Sequence, residues 1–328
     1  MKYINRLNKF LHDFLDENQN NIILGEDISD PYGGAFKATK GLSTKFKNQV
    51  ISTPISESAI AGLGIGMMLK GHKVILEIMF GDFVTLCVDQ FVNGASKFID
   101  LKDTKSLGTL IIRCPMGGYR GYGPTHSQCL ESLFFNIPNI NIFSPNIFSD
   151  PYDVYSSALK NKGISIIVEH KISYSKDIEI KKLGGFDLDI VKEDSYDKVS
   201  ILNKSPDYLI LTYGHVAKLA VDIVQEIFIE KELIGEVMCI KKIKPINTKI
   251  LSNLNHTKII TLEEGVVDSG WGRILSSYIY ENNKSKVNIL NLGAKNTIIP
   301  SDMLKELDNL PTIKNTKPKI IKFLNFNN

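Results

Sequence analysis

Glu57 stands where a carboxylate has little packing value. It closes the run Thr53-Pro54-Ile55-Ser56-Glu57, just after the strand-like Val50-Ile51-Ser52, and the residues that follow, Ser58 to Gly66, are nearly all small or apolar. A helix of that composition is buried, so a carboxylate in its first turn is poorly solvated. Burial raises a carboxylate pKa and readies the group to exchange a proton with something neutral and basic. A Ser/Glu pair before a helix is also an ordinary cap, and these residues alone leave both readings open. His126, in Thr125-His126-Ser127-Gln128-Cys129, follows a glycine-rich loop after a predicted strand, on the side of an α/β sheet where active sites gather. In that loop, Gly117-Gly118-Tyr119-Arg120-Gly121-Tyr122-Gly123-Pro124, Arg120 is either a clamp for a carboxylate or phosphate or a surface arginine on a mobile loop.

The elements that must position these residues are legible as alternation. Short apolar runs at Ile22-Ile23-Leu24, Val50-Ile51-Ser52, Val74 to Ile78, Leu110 to Arg113 and Ile164 to Glu169 alternate with helical stretches, one of them running through Asp89 and Gln90. Strands apolar on both faces and separated by helices predict a parallel sheet covered on both sides. Between Ser173 and Asp197 the pattern dissolves into charge and glycine. It restarts with strands at Tyr208–Thr212, Gly235–Ile240, Lys258–Leu262 and Val287–Leu290, and helices at Val216–Phe228 and Trp271–Tyr280. The fold class expected is therefore α/β with two doubly wound domains, residues 1–175 and 190–328, joined by a linker at 176–189.

At 328 residues the chain suits two domains of roughly 150 residues each. A net charge of +3 with scattered lysines gives no basic stripe, so no nucleic-acid partner is expected. The four cysteines, Cys87, Cys114, Cys129 and Cys239, lie far apart without a CxxC pair, which predicts reduced thiols and no zinc site. Met1 to Asn20 carries apolar residues at helical spacing between charges and not a signal peptide, and no apolar run approaches the ~20 residues that cross a bilayer. A cytoplasmic protein with no membrane partner is expected. The triplet Gly62-x-Gly64-x-Gly66 has the wrong spacing for a dinucleotide fingerprint and suits close helix packing.

Taken in order, Gly25-Glu26-Asp27, Gly33 to Lys37, Gly41-Leu42, Thr53 to Glu57, Asp89-Gln90, Thr125 to Cys129, Ile137-Pro138-Asn139, Ser144-Pro145 and Leu262-Glu263-Glu264-Gly265 resemble the beta subunit of the 2-oxo acid dehydrogenase first component. That family, with its pyruvate, branched-chain and acetoin members, depends on thiamine diphosphate. The resemblance covers nearly the whole chain. It implies a thiamine-pyrimidine-binding domain followed by a transketolase C-terminal domain. It implies that Glu57 hydrogen-bonds a ring nitrogen of the cofactor's aminopyrimidine and so promotes ylid formation, the cofactor serving as electron sink. Phe83 falls where the family stacks an aromatic ring on the pyrimidine, though ordinary core packing would also suit a phenylalanine. His126 matches the family histidine near the reacting carbon, which implies a catalytic role, steadying the substrate carboxylate or helping proton transfer in acyl transfer; Arg120, read from the residues alone, is the other expected substrate-binding group.

Two departures qualify the resemblance, and one absence completes it. Arg120 and its two neighbouring tyrosines stand where pyruvate-type subunits carry small residues, which puts pyruvate itself in doubt. Asn161, in Ala158-Leu159-Lys160-Asn161, replaces an aspartate associated with potassium, so that ion is not expected. No Gly-Asp-Gly occurs; Gly81-Asp82-Phe83 is the nearest approach. The resemblance thus implies half of a split site, with Mg2+ and the diphosphate held mainly by an alpha subunit in a two-alpha two-beta heterotetramer, and no metal ligand in this chain. It also implies acyl transfer to a lipoyl carrier and docking of a lipoyl acyltransferase, although Phe323 to Asn328 contains no recognisable docking motif. Two other readings stand beside it: a thiamine-dependent decarboxylating carboligase that passes the acyl group to an aldehyde or similar acceptor, and a non-catalytic assembly subunit.

Overall fold

A computed structural model describes residues 1–101, 106–282 and 287–325; the last three residues of the 323–328 tail therefore lie outside the described residues. The chain divides into two compact units. The first comprises Met1–Met116, Leu133–Pro145 and Asp150–Ile178, and the second Gly117–Ser132, Asn146–Ser149 and Glu179–Asn328.

In the first unit the strands β1 (Ile22–Glu26), β2 (Val50–Thr53), β3 (Lys73–Glu77), β4 (Thr109–Met116), β5 (Ile140–Phe143) and β6 (Gly163–His170) lie in the order β5-β6-β4-β3-β1-β2. Every pairing among them is parallel. Parallel strands are covered on both faces, and β4 and β6 are buried along their whole length, as their apolar sequences require. Helix α1 (Tyr3–Glu17) buries Tyr3, Leu7, Phe10, Leu11, Phe14 and Leu15, a stripe at three- and four-residue spacing. Phe10 meets Tyr152 and Tyr155 of α5 (Pro151–Leu159) with ring centroids at 5.0 and 4.9 Å. The short helix α2 (Leu42–Lys45), the long α3 (Glu57–Leu69) and α4 (Ser96–Leu101) complete the unit.

Two local expectations change. The stretch predicted as one helix through Asp89 and Gln90 is a 3₁₀ turn (Gly81–Cys87), then a wide π turn (Gln90–Ala95), before α4 begins. At its entrance Gly81 lies so close to Met116 that a Cβ would overlap the methionine side chain, and that close approach fixes where the turn can start. Strand β5 went unread because it is only four residues long and alternates apolar residues with asparagine (Ile140-Asn141-Ile142-Phe143).

The second unit holds β7 (Lys182–Leu183), β8 (Phe186–Asp187), β9 (Asp189–Lys192), β10 (Tyr196–Ser200), β11 (Tyr208–Tyr213), β12 (Gly235–Ile240), β13 (Lys242–Lys244), β14 (Lys258–Val266) and β15 (Asn288–Ala294). Its larger sheet runs β15-β14-β11-β12-β10-β9. The first four strands pair in parallel, whereas β10 and β9 add on antiparallel. Helix α6 (Val216–Lys231) packs on the face carrying Val199, Ile210, Val237 and Cys239. Helices α7 (Thr248–Ser252), α8 (Trp271–Asn282), α9 (Met303–Asn309) and α10 (Ile313–Asn325) complete it.

The expected linker at 176–189 is mostly structured: it contains β7 and β8, a two-stranded hairpin, and opens β9. Its charged, half-exposed strands lack the apolar signal of a central strand. Residues 117–132, which a division at residue 175 assigns to the first domain, group instead with the second unit. The reason is polar: Glu264, Glu306 and Tyr213 hold this loop by hydrogen bonds at Gly118, Gly121 and Glu131. Among the described residues no helix is long and apolar enough to cross a membrane, and all four cysteines are free.

Candidate active site

In the first unit, β1 and β2 end side by side with Glu26 opposite Thr53. The chain then turns through Pro54, Ile55 and Ser56 into α3, whose first residue is Glu57. Two carboxylates thus gather at the C-terminal ends of adjacent parallel strands. The Ser56 side chain makes no capping hydrogen bond; its backbone N–H donates to Glu26 Oε1 at 3.1 Å. Ile60, Ala61, Gly64, Ile65 and Met68 bury the inner face of α3, and Glu57 is itself only 9% exposed. Among the described residues no group donates a hydrogen bond to the Glu57 carboxylate. Burial, reinforced by the neighbouring Glu57 and opposed by the Ser56 amide, raises the pKa of Glu26. The Cys87 thiol donates to the Glu57 carbonyl oxygen at 3.3 Å, and burial, with the nearby Glu57 and Glu26, pushes its pKa to about 12.

That thiol also ties α3 to the 3₁₀ turn that carries Phe83. Phe83 is half-buried, and its ring stands edge-on to Phe80 with centroids 6.3 Å apart. The turn is closed by Thr85 Oγ1 donating to the Asp82 carbonyl at 2.9 Å. Glu57 and Phe83 therefore sit on adjoining elements of one unit.

Arg120 and His126 belong to the second unit. Their loop is pinned at its ends by Gly117 N–H donating to the Gln128 carbonyl at 3.2 Å. His126 is half-buried; its amide donates to the Gly123 carbonyl at 3.2 Å, and its Nδ1 lies 2.9 Å from Thr125 Oγ1. Arg120 is exposed, with its guanidinium carbon 4.8 Å from the centre of the Tyr122 ring.

Sequence reasoning missed two buried ionic groups. Arg113, inside β4 and paired with the last residue of β3, bonds Glu77 and reaches Glu169 Oε2, near the end of β6, at 2.7 and 3.1 Å. Tyr174 and Tyr155 donate to the same carboxylate at 2.8 and 2.9 Å. Burial works against the charged guanidinium, but Glu169 and Glu77 outweigh it and hold its pKa well above the ordinary value. Burial raises the Glu77 carboxyl even with Arg113 beside it. Charged residues standing in or near the ends of otherwise apolar strands, Glu77, Arg113 and Glu169, were the available signal.

The second group lies in the other unit, where the Tyr213 hydroxyl donates to Glu131. Glu263 accepts from the Trp271 and Gly272 amides at 2.9 and 2.8 Å. Burial is the main cause, with the charge of Glu131 adding to it, that pushes Glu263 up to about 8; Glu131 is itself raised, chiefly by burial. A carboxyl whose folded pKa exceeds its unfolded value binds its proton more tightly when folded. Its contribution is complete below the ordinary value of 4.5 and is lost as the pH rises through about 8. Stability to urea is expected to fall across that window, by up to about 1.4 kcal/mol per pH unit for one such group, and the fall should flatten in Glu263→Gln. A wild-type midpoint that stays level from pH 5 to 8 would contradict this.

Residues 1–176 match the model of the family described as transketolase, pyrimidine binding domain. The chain belongs to that family. Its curated relatives include the mitochondrial pyruvate dehydrogenase E1 component subunit beta of Dictyostelium discoideum, 26% identical over 84% of this chain and 77% of that protein. The pyruvate dehydrogenase E1 component subunit beta of Rhizobium meliloti is 27% identical over 80% of this chain, which spans only 56% of that relative's length. The 2-oxoisovalerate dehydrogenase subunit beta of Bacillus subtilis is 31% identical over 65% of this chain and 64% of its own. Among solved structures, a split gene transketolase described as an inactive beta4 tetramer superposes with a TM-score of 0.73 over 98% of this chain and 97% of that one, at 16% identity. That likeness establishes the transketolase-like α/β fold.

Proposed function

We propose that this chain is the beta subunit of a thiamine diphosphate-dependent 2-oxo acid decarboxylating dehydrogenase, active only with an alpha subunit. The observation that carries the proposal is Glu57: a buried carboxylate at the start of an apolar helix, to which no group among the described residues donates a hydrogen bond. That is the donor and acceptor chemistry an aminopyrimidine nitrogen requires, so the residues present fit the cofactor. When bound, thiamine diphosphate supplies the electron sink for decarboxylation.

The chain's own contributions follow from this placement. Glu57 holds or returns a proton at its carboxylate oxygen, and Glu26, whose raised pKa keeps it closer to neutral, limits repulsion beside it. Phe83 offers a ring for stacking. Arg120 and His126 engage the substrate, Arg120 through a carboxylate. Mg2+ and the diphosphate fall to the alpha subunit, since the sequence lacks a Gly-Asp-Gly motif. The outer face of α3 supports a partner: Ala59, Leu63 and Gly66 are exposed along one stripe of an otherwise apolar helix, and nearby Ile55 and Leu86 are 77% and 54% exposed. A two-alpha two-beta assembly would cover them.

Acyl transfer to a lipoyl carrier is the acceptor step we propose. The exposed, ring-stacked Arg120 favours a second reading, in which a carboligase receives an anionic aldehyde or similar acceptor. The assembled enzyme, given a panel of 2-oxo acids with lipoamide or with an aldehyde, separates the two. Lipoamide-dependent turnover supports the first, and carbon–carbon bond formation without lipoamide supports the second. Decarboxylation of none of them would favour a non-catalytic subunit.

A further inference from the structure

We propose that Glu264 and Glu306 are positioning residues that clamp the backbone on both sides of Arg120 and so fix the loop that presents Arg120 and His126. Glu264 Oε1 accepts the Gly118 N–H at 2.7 Å, and Glu306 Oε2 accepts the Gly121 N–H at 2.8 Å. Both carboxylates are removed from solvent, at 5% and 0% exposure. They come from separate elements, Glu264 from β14 and Glu306 from α9. A third tether joins them where the Tyr119 hydroxyl donates to the Pro311 carbonyl at 2.9 Å.

The loop needs such holding. Tyr119 and Gly121 both adopt left-handed conformations, with φ of 65° and 67°, and a non-glycine residue there stores strain that its surroundings must over-determine. The fit is close: a Cβ on Gly118 would stand 2.6 Å from Leu310 Cδ1 and 2.9 Å from Glu306 Oε1. Neutral carbonyls would satisfy two amides without burying charge, which is expensive. Charged acceptors give shorter and stronger hydrogen bonds. The two carboxylates bracket Arg120 with one residue of slack on one side and none on the other, a spacing that serves its placement directly.

This inference rests on the reading of Arg120 and His126 as substrate-contacting groups, so two readouts are needed. In the assembled enzyme, Glu306→Leu and Glu264→Gln/Glu306→Gln are compared by amide hydrogen exchange and by steady-state kinetics with the preferred 2-oxo acid. Glu306→Leu is expected to speed exchange across residues 117–126 by at least about tenfold, the ratio given by loss of one charge-assisted hydrogen bond. KM should rise by a similar factor, with a much smaller change in kcat. The double glutamine variant keeps an acceptor oxygen at each amide and should show a milder form of both effects.

Unchanged exchange in Glu306→Leu, or exchange that accelerates equally throughout the second unit, would overturn the clamp. Faster loop exchange with an unchanged KM would overturn the positioning role. An Arg120→Gln control then locates the fault: a raised KM there leaves the substrate assignment standing, and an unchanged KM removes it.

Discussion

Replacing Glu57 with glutamine is expected to lower turnover of the assembled enzyme by roughly 10²–10⁴-fold, the range that a positioned acid–base group supplies. Glutamine keeps the shape of the side chain and its ability to hydrogen-bond, and loses only the exchangeable proton. Because no group among the described residues donates to the Glu57 carboxylate, the substitution breaks no existing hydrogen bond at that carboxylate. The urea midpoint should therefore move little, and Cys87, bonded to the Glu57 backbone carbonyl and not to its side chain, should stay in place. The check is kcat with saturating cofactor alongside an unfolding curve. A variant that keeps wild-type turnover would remove Glu57 from the chemistry and bring the non-catalytic reading forward.

Arg113→Leu is expected to have the largest effect on stability. It removes the guanidinium from between two buried carboxylates, Glu77 and Glu169, with the side chains of all three at 2% exposure or less. Breaking a buried ion pair by deleting one partner costs about 3–5 kcal/mol, because the other charge is left uncompensated. Here two charges are stranded, although Tyr155 and Tyr174 still donate to Glu169. The unfolding midpoint in urea measures it. Substituting Arg113 and Glu77 together with apolar residues should recover part of the loss, since the stranded charge then goes with its partner. A single variant within about 1 kcal/mol of wild type would mean that the network contributes nothing beyond packing.

The parallel core of the first unit was legible because buried parallel strands carry unbroken apolar runs, as in Leu110-Ile111-Ile112 and Ile166-Ile167-Val168. Glu57 was legible for the opposite reason, as a charge at the start of a run with no other use for one. The hydrogen bonds that hold the site were not. Whether Ser56 caps the helix through its hydroxyl or donates its amide to Glu26 depends on where β1 ends relative to β2, a register that local sequence does not encode. The grouping of the 117–132 loop was hidden for the same reason: Gly118 and Glu264 lie 146 residues apart along the chain. Strands β9 and β10 escaped because they add on antiparallel, β9 at the sheet edge, and both are partly exposed and carry charge, so they resemble a linker.

We propose that this chain holds the pyrimidine side of a thiamine diphosphate site and needs a partner for the rest. Calorimetric titration of thiamine diphosphate with Mg2+, first into this chain alone and then into its complex with a co-expressed alpha subunit, tests it most directly. Tight binding to the complex and weak or no binding to the isolated chain is the predicted result. Equally tight binding to the chain by itself would contradict the split site, and no binding in either state would contradict the cofactor assignment.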